Sequence, residues 1–278
     1  MPIVFHPSWP APARALLCRA IDRHGGWSRW TRLEAISVHL VALRGFLPWI
    51  KGYGRSFQLG RSLTTFPKEI RTEFHEDTGQ RHLATFDRGD LRLHDSETGR
   101  LRAEGQSRDH RRTFAGWRKM RRWDAVDAHY FFGYAFASYA ALPFVLPGLS
   151  YRGGVMARAR GERWTGVRVE FPADAQVHCR RQSYFFDDSG LLRRNDYVAD
   201  VVGAFARGAH LWRDYSTVQG LALPARRTVL LRLGATPLPF MIALDATFDG
   251  LDVRLRDEEG AANFASGPGA FGGQSIPG

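Results

Sequence analysis

Apolar side chains recur along the chain with two different periods. Between Pro12 and Ile21 they follow the spacing of a helix, and Gly25-Gly26 then supplies the left-handed conformation that often ends one. The segment RLEAISVHLVALRG, residues 32–45, instead alternates apolar and polar positions, which predicts a strand with one bulge. The same alternation predicts strands in EIRTEFHED, RHLATFD and GDLRLHD, between residues 69 and 95.

Strand patterns also fill the chain between residues 151 and 256. Turn residues at 161–162 and 188–190 predict two hairpins, and long alternating stretches follow from residue 209 onward. No helical pattern separates these strands, so parallel crossovers are excluded and antiparallel neighbours are expected. Residues 257–278 are rich in Gly, Ala and Ser. We therefore expect one domain over residues 1–256 and a flexible tail over 257–278.

One stretch, residues 128–148, contains no charged side chain and seven aromatic ones. A membrane span needs about twenty apolar residues, but Pro143 and Pro147 fall inside that length, and tyrosine and histidine tips would face hydrocarbon. An internal helix over 124–142 is the better interpretation, with Asp124 as its cap and Asp127 in its first turn. Because this helix is apolar on every side, it must be covered on every side.

A curved sheet is the simplest cover for such a helix, since its concave face offers apolar side chains from alternate positions of every strand. The predicted fold class is therefore α+β. We expect a strongly curved antiparallel β-sheet, either unclosed or a half barrel, that wraps the internal helix. A short N-terminal helix completes the prediction.

Composition limits the classes of binding partner and the cellular compartment that we expect for this protein. The formal net charge is +11, but only three of the 39 basic residues are lysines, a bias typical of GC-rich coding sequence, so nucleic acid is disfavoured as a partner. The two cysteines allow at most one disulfide, and the N-terminus has no secretory pattern. We expect a cytoplasmic protein. No phosphate loop, metal-ligand spacing or cofactor motif is present, so neither a metal nor a cofactor is predicted.

Three phrases resemble the bacterial lipoprotein-carrier superfamily of the LolA, LolB and LppX type. They are HGGWSRWTRLEAI at 24–36, YFFDDSGLLRRNDY at 184–197 and WRDYSTVQGLALPARRTVLL at 212–231. The chain is also similar to a group of uncharacterised actinobacterial-type proteins. The resemblance spans about residues 12–256 and implies a half barrel with a helical plug that holds acyl chains. The sequence shows no export signal or anchoring cysteine of the kind those carriers have, so we expect only a lipophilic cavity to be shared with them.

Four side chains are candidates for acid–base chemistry, namely His178, Tyr184, Asp196 and His210. In HCRRQSYFF, a period of two would place His178, Arg180, Gln182 and Tyr184 on one strand face. His178 would act as the general acid or base, with Asp196 orienting a histidine. His210 is the second candidate histidine. Each of these residues also has an ordinary structural interpretation, as a solvated strand face or an ion pair with an arginine.

The aromatic and polar tips of the internal helix predict a ligand pocket, because so many of them are hard to satisfy in a dry core. The leading hypothesis is a module that binds one lipophilic small molecule. The alternative is a cofactor-independent cyclase, isomerase or hydrolase that acts on a polyketide-like or lipid-like substrate through His178, His210, Asp196 and Tyr184. The ligand-binding candidates are His129, Tyr130, Tyr134, Phe136, Trp164, Gln182 and Trp212.

Aromatic residues Phe114, Trp117 and Trp123 are interleaved with, or directly follow, the basic run Arg108 to Arg122. Such a run is most often a solvated loop. It would also suit transient contact with an anionic membrane surface, and stacking of nucleic-acid bases is a weaker third hypothesis.

Overall fold

The chain forms one antiparallel sheet folded around a helix. The computed structural model describes residues 2–77, 82–94, 98, 100–105, 107–159 and 161–257. Within these residues, thirteen strands form a single sheet in which every neighbouring pair is antiparallel. The predicted fold class is confirmed. Nearly all of the predicted tail, residues 258–278, lies outside the described residues.

The strands follow two meanders. They are β1 (Leu33–Arg44), β2 (Ser62–Phe66), β3 (Arg71–His75), β4 (His82–Asp87), β5 (Asp90–His94), β6 (Leu101–Gly105), β7 (Ser150–Ala159), β8 (Glu162–Glu170), β9 (Arg181–Phe186), β10 (Leu192–Val198), β11 (Arg207–Val218), β12 (Leu221–Leu233) and β13 (Thr236–Leu255).

Their order across the sheet is β6-β5-β4-β3-β2-β1-β13-β12-β11-β10-β9-β8-β7. The first and last strands are therefore neighbours in the middle of the sheet, whereas β6 and β7, consecutive in sequence, form its two edges.

Five α-helices accompany the sheet in the described part of the chain. They are α1 (Ala11–Arg23), α2 (Trp27–Arg32), α3 (Phe46–Lys51), α4 (Ser107–Thr113) and α5 (Ala125–Ala140), with 3₁₀ turns at Gly116–Met120 and Leu146–Gly148. The sequence pattern predicted α1 and α5, but it did not predict α2, α3 or α4, because elements of six or seven residues carry little periodicity.

The long strand β1 is more irregular than its alternation predicts. One bulge was expected, but its register against β13 shifts at three places, between Leu33 and Ala35, Ser37 and His39, and Leu40 and Ala42. Bulges bend a strand and increase its twist. Three of them in one pair of central strands help to curl the sheet around the helix.

Helix α5 fills the hollow of the sheet. Asp124 caps it, because its carboxylate accepts a hydrogen bond of 2.9 Å from the backbone N–H of Asp127. Gly133 faces β4 so closely that a Cβ atom there would lie 2.4 Å from the Cβ of Phe86. From residue 127 to residue 137 every residue of this helix is buried. No helix in the described residues is long and apolar enough to cross a membrane.

Two apolar clusters occupy the concave side. One packs α5 against β3, β4 and β5, and the other packs α1 against residues 141–149 and the strands β8 to β11. A small third cluster on the opposite face of the sheet contains Trp164, Phe185, Leu211 and Leu230. The sheet thus has an inner face that holds the helices and an outer face with one apolar patch.

Candidate functional site

A cavity of about 70 Å³ lies between α5 and the inner face of the sheet. Its walls are almost entirely aliphatic and aromatic, and polar side-chain atoms come only from Tyr139, Tyr197, His210 and Arg227 among its described lining residues. Ile50 and Phe205 line it and are also 39% and 58% exposed to solvent. The cavity therefore opens beside these two residues.

Each element around the cavity supplies part of the lining. Helix α5 gives Phe131, Phe132, Ala135 and Phe136; the loop before β11 gives Ala199, Val202, Phe205 and Ala206; α3 gives Phe46, Leu47 and Ile50; and β12 and β13 give Val229, Leu231, Ala243, Leu244, Ala246 and Phe248. Residues two apart on a strand share the inner face, and Ala243 joins its neighbour Leu244 there because the β12–β13 register shifts at this point.

A second, more polar cavity of about 40 Å³ adjoins the first. Both cavities are lined by Phe136, Tyr139 and Arg227. Trp212 and Tyr215 line the second one only. A wall of three side chains therefore separates two hollows of different polarity.

Arg227 stands at that wall with aromatic rings around its guanidinium. The carbon Cζ lies 4.9 Å from the ring centroid of Trp212, 5.3 Å from Phe248, 5.6 Å from Tyr139 and 5.8 Å from Phe136. The side chain is half-buried because it faces the cavities, yet its Nε and Nη1 atoms are inaccessible and have no hydrogen-bond partner in the described residues. Burial lowers the pKa of Arg227 to about 10, so it stays charged at neutral pH.

A fully bonded group of one histidine and three tyrosines lies behind the first cavity. His178 Nδ1 is 3.0 Å from the hydroxyl of Tyr134, and Nε2 is 2.5 Å from that of Tyr139. Tyr139 donates to Tyr197 over 3.1 Å, so Nε2–H of His178 donates to Tyr139 and Nδ1 accepts from Tyr134. Burial and the nearby Arg111 lower the pKa of His178 to about 3. His178 is therefore neutral, with both ring nitrogens engaged.

His210 differs from His178, because neither of its ring nitrogens has a partner in the described part of the chain. The ring stacks on Trp212 at 4.8 Å and lines the first cavity. Burial, followed by repulsion from Arg227 and His178, lowers the pKa of His210 well below its ordinary value. It therefore offers a neutral donor and a neutral acceptor next to the cavity.

Asp196 lies on the opposite face of the sheet from both candidate histidines. It forms a paired contact with Arg194 at 2.6 and 2.7 Å, and Arg194 in turn packs over Phe185 of the outer cluster. Strand alternation explains this position, because Asn195 and Tyr197 take the inner face of β10. The prediction that Asp196 orients a histidine is corrected to an ion pair.

Strand β9 also begins later than predicted, at Arg181. His178 therefore lies in the preceding turn and contacts α5, while Arg180 pairs with Glu170 at 3.1 Å. The expected face of His178, Arg180, Gln182 and Tyr184 does not form. Only Gln182 and Tyr184 are together, because the hydroxyl of Tyr184 donates to Oε1 of Gln182 over 3.0 Å.

Gln182 and Tyr184 belong to a buried network rather than to either cavity lining. Asn195 donates to the same Oε1 of Gln182 over 3.2 Å, and Trp212 Nε1 donates to Asn195 over 3.4 Å. These bonds satisfy polar groups across three neighbouring strands. The network fixes the ring of Trp212 beside Arg227.

The predicted ligand-binding residues separate into two groups. Phe136 and Trp212 line the cavities. Five others do not. Gln182 belongs to the buried network, His129 contacts Phe74 of β3, Tyr130 donates to Gln176 over 2.9 Å, Tyr134 bonds to His178, and Trp164 lies on the outer face with its Nε1 on Glu162. Helix α5 is covered on all sides, so only one of its stripes meets a hollow.

The basic run forms an exposed surface near the cavity mouth. Within the 3₁₀ turn Gly116–Met120, Trp117 and Met120 are 76% and 72% exposed, and Trp49 of α3 is 71% exposed. The ammonium group of Lys51 holds the two segments together by donating to the carbonyls of Lys119 and Arg121 over 2.5 and 3.1 Å. We call Trp49, Trp117, Met120 and the surrounding basic side chains 118, 119, 121 and 122 the aromatic-basic surface.

One group of side chains has ligand atoms close enough to hold a metal ion. Glu73 and His75 on β3 and His82 on β4 place their ligand atoms within 4.8 Å of one another. No metal site was predicted here, because the spacing of these residues along the chain is not that of a metal motif and His75 and His82 meet only through the pairing of β3 with β4.

Comparison with known proteins gives a distant likeness of shape. No protein-family profile matches the sequence, and no curated protein is detectably similar to it. Three solved structures resemble the chain. A LolA superfamily protein from Nitrosomonas europaea has 12% identity and a TM-score of 0.46, over 89% of this chain and 96% of that one.

A DUF1329 family protein from Desulfovibrio piger has 13% identity and a TM-score of 0.41, over 88% and 94% of the two chains. An outer membrane lipoprotein-sorting protein domain from Vibrio parahaemolyticus has 10% identity and a TM-score of 0.43, over 91% and 97%. The similarity to an actinobacterial-type group stays a prediction.

Arg227 lines both cavities but was not among the residues predicted for the site, whereas Tyr139, the other polar residue of both linings, is one of the polar tips of the internal helix from which a pocket was predicted. A signal for Arg227 was present: in RRTVLL, a period of two places it in phase with Val229 and Leu231. A cation in the apolar phase of a strand is a candidate site residue, because burying an unpaired charge is costly.

Proposed function

We propose that this protein binds a lipophilic small molecule in the cavity between α5 and the sheet. The observation that carries the proposal is the cavity itself, whose walls are apolar except for four side chains. A well-packed core leaves few voids larger than one water molecule, and this hollow has room for roughly five. It also reaches solvent beside Ile50 and Phe205, so a ligand has a route inward.

Cavity size sets the scale of the ligand. With about 70 Å³ available, the hollow takes a ring or a chain of roughly five carbon atoms, each comparable to a water molecule in volume. A longer ligand would extend through the mouth or displace Phe205.

A cavity-filling variant tests the proposal. Ala135→Leu adds three carbon atoms to the cavity wall on α5. We expect it to weaken binding of the neutral fluorescent probe N-phenyl-1-naphthylamine by about tenfold or more, since the probe must give up apolar contact area. Ala235→Leu is the control, because Ala235 is exposed in the β12–β13 turn. Absence of binding to the wild type by both the probe and the smaller 1-hexanol, or equal probe binding to Ala135→Leu, would refute the proposal.

The geometry favours binding over catalysis. Both nitrogens of His178 are engaged with tyrosines, and Asp196 is on the outer face. Among the described lining residues of the first cavity there is no carboxylate to pair with His210. The acid–base set proposed for a cyclase, isomerase or hydrolase is therefore not assembled.

We further propose that the aromatic-basic surface contacts an anionic bilayer during ligand exchange, at a cytoplasmic membrane face. Tryptophans favour the level of the lipid head groups, and each nearby Lys or Arg contributes about 1 kcal/mol at an anionic surface. Residues 49 and 50 are exposed at the end of α3, and the same helix lines the cavity. Contact here would bring the mouth close to lipid.

Vesicle sedimentation tests this contact. The double variant Arg118→Glu/Arg122→Glu should lose about tenfold or more of its affinity for vesicles containing phosphatidylglycerol. Arg163→Glu/Arg168→Glu changes the net charge equally on β8, where both side chains are exposed, and should lose much less. Equal losses in the two variants, or equal binding to neutral phosphatidylcholine vesicles, would show that the surface is not specific.

A further inference from the structure

Arg227 carries an inference about the chemical class of the ligand, which rests on the proposed function. Its charge is placed among four aromatic rings, with Trp212 and Ala246 directly beside it on the neighbouring strands. The guanidinium carbon lies over each of these rings, a favourable arrangement. Its edge, which carries the N–H donors, has Nε and Nη1 without partners in the described residues.

Within the residues that the structure describes, other arginines of this region are paired with carboxylates, but Arg227 is not. Arg226, the preceding residue, donates to both carboxylate oxygens of Asp245 at 3.2 and 2.9 Å. Arg194 does the same with Asp196. The groups that interact electrostatically with Arg227 are the phenols of Tyr139 and Tyr215 rather than a carboxylate. A buried cation without a counter-charge is costly, and a bound anion would remove that cost.

We propose that the ligand is an amphipathic carboxylate, whose head group binds Arg227 and whose hydrocarbon part fills the apolar cavity. A planar carboxylate matches the fork of N–H donors in a guanidinium. Nε and Nη1 are enclosed, so binding requires a rotation of the Arg227 side chain that turns this fork toward the cavities it already lines. Val229 and Leu231 follow Arg227 on the inner face of β12, so the apolar walls continue from the cation. His210, with its free ring nitrogens, stands on the same side of the sheet.

Three ligands with the same eight-carbon chain distinguish the contribution of the head group to affinity from that of the hydrocarbon tail. Wild-type protein should bind octanoate about tenfold or more tightly than octanol or methyl octanoate, measured by displacement of N-phenyl-1-naphthylamine. In Arg227→Met this preference should disappear while octanol still binds. Arg226→Met is the matched control, on the outer face one position earlier, and should keep the preference. Arg227→Lys retains the charge without the fork and should keep part of it.

The outcomes distinguish this inference from the proposed function. Equal affinity of wild-type protein for octanoate and octanol would overturn the carboxylate inference and leave lipophilic binding intact. Retention of the preference in Arg227→Met would also overturn it. If neither the probe nor any of the three ligands binds, the proposed function fails, and the inference with it. Should Arg227→Met bind no ligand at all, Arg227→Lys decides, since an undiminished preference there would refute recognition by the fork.

A separate observation carries a second proposal on the outer face of β3 and β4. Glu73 bonds to Arg71 through Oε1 at 2.5 Å, while its other oxygen, Oε2, lies 3.9 Å from Nε2 of His75. Nδ1 of His75 is buried and has no partner in the described residues. His82 is 2.7 Å from the hydroxyl of Thr85 through its Nε2. One carboxylate oxygen and two imidazoles thus converge.

We propose that Glu73, His75 and His82 bind a divalent transition-metal ion such as Zn²⁺. Two imidazoles and a carboxylate are a known zinc ligand set, in which a fourth position remains open. The ligand atoms are within 4.8 Å of one another, so modest side-chain rotations would bring them to bonding distance. Carboxylate ligands are commonly held by a second group, as Arg71 holds Glu73.

Metal titration of the intact chain tests this site. Calorimetry with Zn²⁺ should give one site per chain, and both His75→Ala and His82→Ala should weaken it by about tenfold or more. His39→Ala is the control. His39 lies on β1 and bonds to Asp249 of β13 at 2.7 Å, so it is not one of the three proposed ligands. The proposal is overturned if wild-type protein shows no Zn²⁺ binding, or if the His39 variant loses as much as the other two.

Discussion

Tyr139 is the residue that connects the buried polar group to both cavities. Its hydroxyl bonds to His178 and Tyr197, and its ring lines both hollows and lies against Arg227. Burial raises the pKa of this phenol well above its ordinary value, so it remains neutral. The position of one side chain is therefore fixed by hydrogen bonds at its tip and used by the cavity through its ring.

Buried neutral histidines predict a loss of stability in mild acid. Burial lowers the pKa of His24 and His129 to about 4 and that of His178 to about 3, from 6.5. Between these values and 6.5 the unfolded chain binds more protons than the folded one, so the free energy of unfolding falls as the pH falls. The urea midpoint should drop steadily from pH 7 to pH 4.5.

Replacing one of these histidines checks the cause. His178→Gln should show a smaller difference in unfolding free energy between pH 7 and pH 4.5 than the wild type, although it is less stable at both. The pKa values of the paired carboxylates Asp187 and Asp245 are lowered from 3.8, so they titrate below this window. An unchanged urea midpoint across the window would contradict the prediction.

At the scale of single elements, α5 depends on a close approach to the sheet. The missing side chain of Gly133 allows this approach, and the hydroxyl of Thr72 donates to the Gly133 carbonyl over 3.0 Å. Glycine weakens a helix by about 1 kcal/mol relative to alanine. That cost is offset by the contact of α5 with β4.

Gly133→Ala should therefore destabilise the protein despite the better helix propensity of alanine. Overpacking a core costs about 1–3 kcal/mol, which exceeds the helix gain of about 1 kcal/mol. We expect a lower free energy of unfolding in urea titration. Gly148→Ala is the control, because nothing lies within 4 Å of its added Cβ. If Gly133→Ala is as stable as the wild type, the tight contact with Phe86 does not limit the packing.

The sequence patterns of the single elements predicted that a sheet encloses a helix. Which residues line the cavity depends on the phase of each strand, which those patterns do not show. The uncharged run with its cap at Asp124 gave the internal helix, and alternation gave most of the strands. The placement of Asp196 and Trp164 on the outer face follows from the phase of β10 and β8, which requires knowledge of where each strand begins. A shift of one residue exchanges the two faces, so ligand-lining residues could not be assigned from the pattern alone.

At the scale of the whole molecule, the first and last strands meet in the middle of the sheet. Leu33 pairs with Leu255, and Ile36 pairs with Val253. The two meanders therefore join along one central pair of long strands. The cavity lies beneath this junction and is lined by residues from β1, β12 and β13. Ligand binding and the pairing of the first strand with the last therefore involve the same part of the sheet.

Ligand binding should accordingly stabilise the whole fold. A ligand that binds only the folded state at 100 times its Kd adds about 2.7 kcal/mol, which raises the Tm of a chain of this size by roughly 5 °C or more. We expect octanoate to give this shift in thermal unfolding of the wild type. Arg227→Met should show a much smaller shift at the same octanoate concentration, and equal shifts would argue against a role for Arg227 in stabilisation by the ligand.

The route of the chain between β6 and β7 has a consequence for ligand size. These strands are the opposite edges of the sheet, and the segment that joins them contains the helix inside it. Helix α5 is therefore connected to the sheet at both of its ends. It cannot rotate out of the sheet about a single hinge. A ligand larger than the present hollow must therefore extend through the mouth, displace the neighbouring loop before β11 or spread the two edges of the sheet, because α5 itself stays in place.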